Sequence, residues 1–240
     1  MAQKYFKPSY LTSLLTDFMA LLYPQICIGC KDVLHQSEDT ICFECSIDMP
    51  RTYFENKKGN PVERLFWFKT KIEEATSGYF FSKKSRIQNM IHAFKYHGND
   101  QSAIYLGELL GNVLRKSSRF KSVDYIIPVP LHPKKLEQRG YNQAEKIAIG
   151  VSRVLEVPIL TNCLIRTTAN DTQTKKSIFN RWENVKTIFE VKNPNHVKNK
   201  HILLLDDVIT SGSTIEAGAQ KIIDCENTKV SVASLAVANG

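Results

Sequence analysis

Two apolar patterns alternate along this chain beyond about residue 60. Short, nearly unbroken apolar runs occur in "EEATSGYFFS", "SVDYIIPVP", "HILLLDD" and "TKVSVASLAVA". Runs of that length suit strands covered on both faces. Between them lie stretches with helical spacing. "SRIQNMIHAFKYHG" places Ile87, Met90, Ile91 and Phe94 on one face and stops at Gly98. "SAIYLGELLGNVLRKS", "QRGYNQAEKIAIGVSRVL" and "STIEAGAQKIIDC" read as further amphipathic helices, and "VPILTNCLIR" as one more short strand. Strands alternating with helices predict an α/β fold with a parallel sheet and helices on both faces. In such a sheet, ligands sit beyond the carboxyl ends of the strands.

The N-terminal quarter reads differently. "SYLTSLLTDFMALLYPQ" carries Leu11, Leu14, Leu15, Phe18, Leu21 and Leu22 at helical spacing, interrupted by Asp17. The run is too short and too polar to cross a bilayer, and no small-residue cleavage site follows it. It predicts an amphipathic helix of a cytoplasmic protein. After the fourth cysteine, "SIDMPRTYFENKKGNPVERL" contains Pro50, Lys57, Lys58, Gly59 and Pro61, the composition of a connector. It places a domain boundary near residue 60, with a small module over 1–60 and a larger domain over 61–240.

Composition changes this picture only slightly. The 240 residues are 42% hydrophobic and 23% charged, as in soluble globular proteins. A formal net charge of +8 favours anionic partners, such as nucleotides, phosphosugars or nucleic acid, without choosing among them. No feature of the sequence indicates an oligomeric state.

Cysteine spacing is more specific. Cys27 and Cys30 form one Cys-x2-Cys knuckle, and Cys42 and Cys45 form a second after eleven intervening residues. Two such knuckles supply four thiolates to one tetrahedral zinc ion, leaving no open position, so the metal is expected to be structural. Two disulfides would be the alternative in a secreted chain. His35 lies between the knuckles and reads as a loop residue. Cys163 and Cys225 read as small buried hydrophobes.

The chemistry concentrates in "HILLLDDVITSGST". Asp206 and Asp207 end a buried strand, where unpartnered carboxylates are costly. Thr210, Ser211, Gly212, Ser213 and Thr214 then open a helix. Amides at a helix N-terminus, hydroxyl donors and a glycine that lets backbone approach a ligand together make a phosphate cradle. No lysine follows and the glycine spacing differs, so this is not a Walker loop. The acids could accept hydrogen bonds from vicinal sugar hydroxyls, directly or through magnesium. The residues therefore point to a 5-phosphorylated ribose. A capped helix after a strand explains a serine or threonine, but not the adjacent acids.

The same block, Asp206, Asp207, Val208, Ile209, Thr210, Ser211, Gly212, Ser213 and Thr214, resembles the phosphoribosyl-pyrophosphate (PRPP) motif of type I phosphoribosyltransferases. Together with "YPQICIGC…CFEC", "FKYHG", "PVPLHPKKLEQRGYNQA" and "QTKKSIFNRWENVKTIF", it resembles the ComF family, in which a zinc knuckle precedes a phosphoribosyltransferase domain. The resemblance runs from about Pro24 to Val237. It implies a type I phosphoribosyltransferase-like fold, with Asp206 and Asp207 on the ribose hydroxyls and Thr210 to Thr214 on the 5′-phosphate. It also implies magnesium bound with PRPP, and a part in natural transformation, handling single-stranded DNA beside a helicase.

Against that pattern, the turn after "IIPVP" is expected to hold pyrophosphate. Pro128 and Pro130 remove two of its amides, while Lys134, Lys135 and above all Arg139 supply charge. Arg139, Asp206 and Asp207 are the candidate catalytic residues. "RTTANDTQTKKSIFNRWENV" fits a hood that closes over substrate, with Gln173, Lys175, Lys176 and Arg181 as candidates to reach pyrophosphate. His92 and His97 receive no role. Lys95 and Tyr96 form only a sparse basic-aromatic pair. No N-terminal nucleophilic cysteine is present for glutamine-driven amination, and the acceptor is not identified.

Overall fold

A computed structural model describes residues 22–96, 100–167 and 188–238. The chain divides into two compact units, 1–48 and 49–240. The division falls ahead of the boundary expected near residue 60. Residues 49–60 are bonded into the second unit: Thr52 N donates to the Gly78 carbonyl at 3.1 Å, and the Asn60 amide donates to the Ala75 carbonyl at 2.8 Å. Polar connector composition here reflects short capped turns rather than a linker.

In the first unit, a tight turn around the first knuckle is closed by an antiparallel bridge between Ile26 and Val33. Helix α1, Phe43–Ile47, carries the second knuckle and is capped by the Cys42 thiol. Ile28, Ile41, Cys27 and Cys45 are buried there.

The first helix of the second unit is α2, Pro61–Arg64, capped by the Asn60 side chain with proline at its first turn. Its main sheet has four parallel strands: β1 (Ala75–Phe81), β2 (Tyr125–Pro128), β5 (His201–Ile209) and β6 (Lys229–Ala238), ordered β1-β6-β5-β2. The strand preceding the acids is buried throughout His201–Leu205. Helices α3 (Arg86–Tyr96), α4 (Asp100–Arg115) and α6 (Gln143–Leu155) pack on one face, with α6 against β2 and β5 and α4 against β6. Helix α7, Ser213–Ile223, packs on the other face against β5 and β6. The expected architecture of a parallel sheet with helices on both faces is therefore observed.

Glycines set the closeness of α4 and α6. A Cβ on Gly150 would lie 2.0 Å from the Ile104 carbonyl, and one on Gly107 would lie 2.2 Å from the Ile147 carbonyl. The two helices meet backbone to backbone.

Two elements depart from the sequence reading. The segment "VPILTNCLIR" does not add a full strand to the main sheet: only Ile159 bridges Ile126. Its last residues form β3, Leu164–Arg166, paired antiparallel with β4, Phe189–Val191. Gly218 of α7 packs beneath this ribbon, against Leu164 and Leu204. In addition, the turn after β2 contains α5, Pro133–Arg139, capped by His132 and ended by Gly140 at φ +77. Pro133 at the first helical position and Gly140 just past the end are the usual signals for so short a helix. The amphipathic N-terminal helix, His97, and the hood candidates Gln173, Lys175, Lys176 and Arg181 lie outside the described residues.

Candidate functional site

The site forms where β2 and β5 end side by side. Pro128 pairs with Leu205, and the Val129 amide continues the ladder to the Leu205 carbonyl at 2.8 Å. Asp206 and Asp207 follow at the next positions of β5, opposite the turn after β2. Both carboxylates fold back on their own backbone: Asp206 Oδ1 accepts from Asp207 N at 2.8 Å, and Asp207 Oδ1 from Val208 N at 2.6 Å. The outward oxygen of Asp207 faces Lys95 Nζ at 2.5 Å.

A cavity of about 150 Å³ opens over the pair, lined by Lys95, Lys135, Arg139, Arg166, Asn142 and Thr214 among others. Two acids thus lie among four cations. Burial pushes the Asp206 carboxyl up to about 8, the charge of Asp207 pushes the same way, and Lys95 and Arg166 only partly oppose them. Burial of two adjacent carboxyls disfavours a second charge, and Asp206, the more deeply enclosed, is driven towards its neutral form.

The hydroxyl loop continues directly from β5. Thr210, Ser211, Ser213 and Thr214 are exposed and Gly212 is buried. Gly212 sits in the left-handed region at φ +80, and a Cβ there would lie 3.2 Å from Phe66 Cε1. The position therefore requires glycine twice over, for conformation and for space. Ser211 Oγ and Ser213 Oγ lie 3.0 Å apart, and Gly212, as N-cap, offers no side chain to the first amides of α7. Those amides and the hydroxyls surround a small pocket of about 30 Å³ next to the acid pair. Arranged this way, the loop can take an oxyanion while the adjacent carboxylates take hydroxyl donors.

The turn after β2 offers few free amides near the strand end. Pro128 and Pro130 carry no N–H, and Val129 N is engaged by Leu205. Side chains supply the positive charge on this side. Arg139 and Lys135 reach the cavity, and Lys134 is not part of its wall. Arg139 is steadied by Gln143, whose Oε1 it meets at 2.9 Å. Asn142 caps α6 and also donates to the Val129 carbonyl at 3.0 Å, pinning both ends of the turn.

In the first unit, the sulfurs of Cys27, Cys30, Cys42 and Cys45 lie within 4.8 Å of one another. Cys30 and Cys42 are 3.7 Å apart, which matches the edge of about 3.8 Å for a tetrahedron with metal–sulfur bonds of about 2.3 Å. All four are free thiols. Burial tends to raise the Cys27 thiol, but amide hydrogen bonds from Cys30, Cys42 and Gly29 outweigh it and bring it to about 7. Burial and the neighbouring thiols push Cys30 up to about 11, and push Cys45 up in the same way. Four thiolates cannot coexist there without a cation, so the donor set fits a closed metal site. His35 is not among the ligands.

No family model matches the chain. A relative from Shigella flexneri named DNA utilization protein YhgH is 33% identical over 212 residues, covering 85% of this chain and 87% of its own length. The chain belongs to the ComF family. Within the family, Competence protein F of Haemophilus influenzae is 29% identical over 79% of this chain and 86% of its own length. Competence protein ComFC of Bacillus subtilis is 33% identical over 41% of this chain. Among solved structures, the glutamine PRPP amidotransferase from B. subtilis superposes with a TM-score of 0.43 at 18% identity, covering 60% of this chain and 30% of that one. That likeness is too low to carry an argument.

Two cavity residues of this ComF protein escape a reading of the sequence. Lys95 stands in "FKYHG", read as a helix end, a family-like block and a sparse basic-aromatic pair, with nothing that links it to the acids more than a hundred residues later. Arg166 ends β3, its guanidinium 5.6 Å from the Phe189 ring centre, with Nε buried and unpartnered among the described residues. Only tertiary packing of α3 and of the β3–β4 ribbon brings either to Asp206. Among the described residues, no helix is long and apolar enough to cross a membrane.

Proposed function

We propose that this protein binds PRPP, or a close phosphoribosyl ligand, at the end of β5 and acts in DNA uptake or utilization. The observation that carries the first part is the continuity of one strand. Asp206 and Asp207 lead within a few residues into a hydroxyl loop hinged on Gly212, and both open towards a cavity lined with Lys135, Arg139 and Arg166. The loop takes the 5′-phosphate and the carboxylates take the ribose hydroxyls. Arg139, Lys135 and Arg166 face the pyrophosphate, where cations stabilise a departing dianion. Magnesium, a hard cation suited to carboxylate and phosphate oxygens, would enter with the pyrophosphate and neutralise its charge. The role in DNA uptake or utilization rests on the family and on the names its members carry.

Catalysis would be transfer of phosphoribose to an acceptor through an oxocarbenium-like transition state, with Arg139, Asp206 and Asp207 as candidate catalytic residues. The second reading is a non-catalytic PRPP sensor or single-stranded-DNA factor. The basic net charge and the relatives' names favour it, and no acceptor is identified. For the cysteine cluster we assign one structural zinc, held by Cys27, Cys30, Cys42 and Cys45.

PRPP binding is tested by calorimetry with magnesium, comparing the protein with Asp206→Asn/Asp207→Asn. Saturable binding lost in the variant supports the site, and equal binding or none in either protein rejects it. Pyrophosphate release with a panel of bases, amines and nucleotides then separates enzyme from sensor.

A further inference from the structure

Among the described residues of the second unit, an exposed pair of aromatic rings lies outside the acid-pair cavity. Following α2, Trp67 is 50% exposed and Phe68 fully exposed, at 106%. Phe68 also holds φ +63, a conformation that bulky side chains avoid at a cost of about 1–3 kcal/mol. A soluble protein gains nothing in stability from turning a phenylalanine outward on a strained backbone.

The two rings edge a groove of about 360 Å³ that also includes Lys58, Lys71 and Glu73. Arg64 lies 5.7 Å from the Trp67 ring centre and is held there by its bond to the Gly59 carbonyl at 2.9 Å. Lys58, Arg64, Lys69 and Lys71 are all exposed. The acids nearby are mostly engaged. Glu63 and Glu74 are both bound by Arg119, and Glu216 faces Lys69 at 3.9 Å. Glu73 is left as the exposed acid of the groove. The surface is therefore a pair of open rings within net positive charge.

We infer that Trp67 and Phe68 form a stacking platform for the bases of a single-stranded nucleic acid, with Lys58, Arg64 and Lys71 following its phosphates. Exposed rings stack on unpaired bases, and a basic margin attracts a polyanion, so the combination selects single strands over duplexes and over apolar protein surfaces. The platform is coupled to the loop by packing: Phe66 and Leu65, just before the rings, lie against Gly212 at 3.2 and 3.5 Å from its Cβ position. The inference goes beyond the phosphoribosyl reading and does not depend on it, although it gives the DNA-linked role a surface.

Trp67 and Trp182 are the two tryptophans of the chain, so Trp182→Phe leaves Trp67 as the sole indole reporter. Titration of that full-length protein with oligodeoxythymidylate or oligouridylate of about fifteen nucleotides should quench its emission saturably. Separate arms with the two oligomers distinguish DNA from RNA as the source. In polarisation assays, Trp67→Ala and Phe68→Ala should each weaken binding by about ten-fold or more, the scale of one lost base–aromatic stack. Trp67→Phe, which keeps a ring, should retain most of the affinity. Lys58→Gln and Lys71→Gln should each flatten the log–log salt slope by about 0.7.

PRPP binding should persist in all these variants, while Asp206→Asn/Asp207→Asn should keep oligonucleotide binding. Failure of one reading is thus visible apart from failure of the other. No quenching, unchanged affinity in the doubly ring-deleted protein, or equally ring-dependent binding of duplex DNA would overturn the platform. So would a ring-dependent self-association without any effect on oligonucleotide affinity.

Discussion

Lys95→Met is the most informative single change at the acid pair. It keeps the length of the side chain and removes only the charge that faces Asp207 at 2.5 Å. At an effective dielectric of about 20, opposite charges about 3 Å apart attract by roughly 5–6 kcal/mol, most of which is offset by desolvating both ions. Deleting one partner of a fully buried pair costs about 3–5 kcal/mol, and of an exposed pair about 0–1 kcal/mol. The Lys95 and Asp207 side chains are 19% and 15% exposed, nearer the buried limit, so a loss of about 2–3 kcal/mol is expected. Asp206 gives the loss a pH dependence. Its carboxyl is already raised, by burial first and Asp207 next, and Lys95 is one of the groups opposing the rise. An acid whose folded pKa lies above its unfolded value destabilises the fold increasingly as pH climbs from the unfolded towards the folded pKa. The Asp206 part of the Lys95→Met deficit should therefore be small at pH 5 and larger at about pH 9, past the point near 8 where the wild-type carboxyl ionises and the variant's does not. Urea unfolding at both pH values reports it, alone and in an Asp207→Asn background where most of the cost should vanish. A loss below about 0.5 kcal/mol, or one unchanged by Asp207→Asn, would refute the counter-ion role.

Three further outcomes follow from particular contacts. Gly150→Ala drives a Cβ to 2.0 Å from the Ile104 carbonyl and should cost about 2–4 kcal/mol by urea unfolding despite alanine's better helix propensity. Gly111→Ala, whose nearest obstacle is the Val154 side chain at 2.8 Å, should cost less. His201 is held between Ser122 and Ser231 hydroxyls at 2.9 and 2.8 Å, and burial pushes its pKa below 6.5. A base depressed in the fold contributes stability above its unfolded pKa and loses it as pH falls. His201→Gln should therefore remove a component of acid destabilisation below about pH 6.5. The Asp206 carboxyl acts in the opposite sense between about pH 4 and 8, so variants rather than one pH profile separate the two. Metal analysis of the purified full chain should find about one zinc per molecule, falling with Cys42→Ser. Strong chelation should loosen the first unit while the urea transition of the second persists. Absence of metal would remove the assignment.

Local signals carried much of the architecture. The buried run His201–Leu205, the helical spacing of Ile87, Met90, Ile91 and Phe94, and the alternation between such patterns were enough to expect a parallel sheet between helices. The β3–β4 ribbon was not legible, because three-residue strands have no period to read and their partners lie on either side of residues 168–187. Helix α5 was hidden by composition: Pro133, Lys134, Lys135 and Gly140 look like a turn until His132 is seen capping the amide of Lys134. Asn60 and Thr52 likewise use polar side chains to bind the chain into the larger unit, so polar composition alone does not locate the division.

By itself the sequence determined what is contiguous: two cysteine knuckles, and two acids followed by a hydroxyl loop, each short enough for covalent spacing to dictate its geometry. Tertiary structure decided what is distant. It set Lys95 against Asp207, brought Arg166 and Arg139 to the same cavity, engaged the Val129 amide that a ligand would otherwise have used, and left Trp67 and Phe68 facing water. Strand order and helix packing fix those distances, and neither is written in any local stretch of residues.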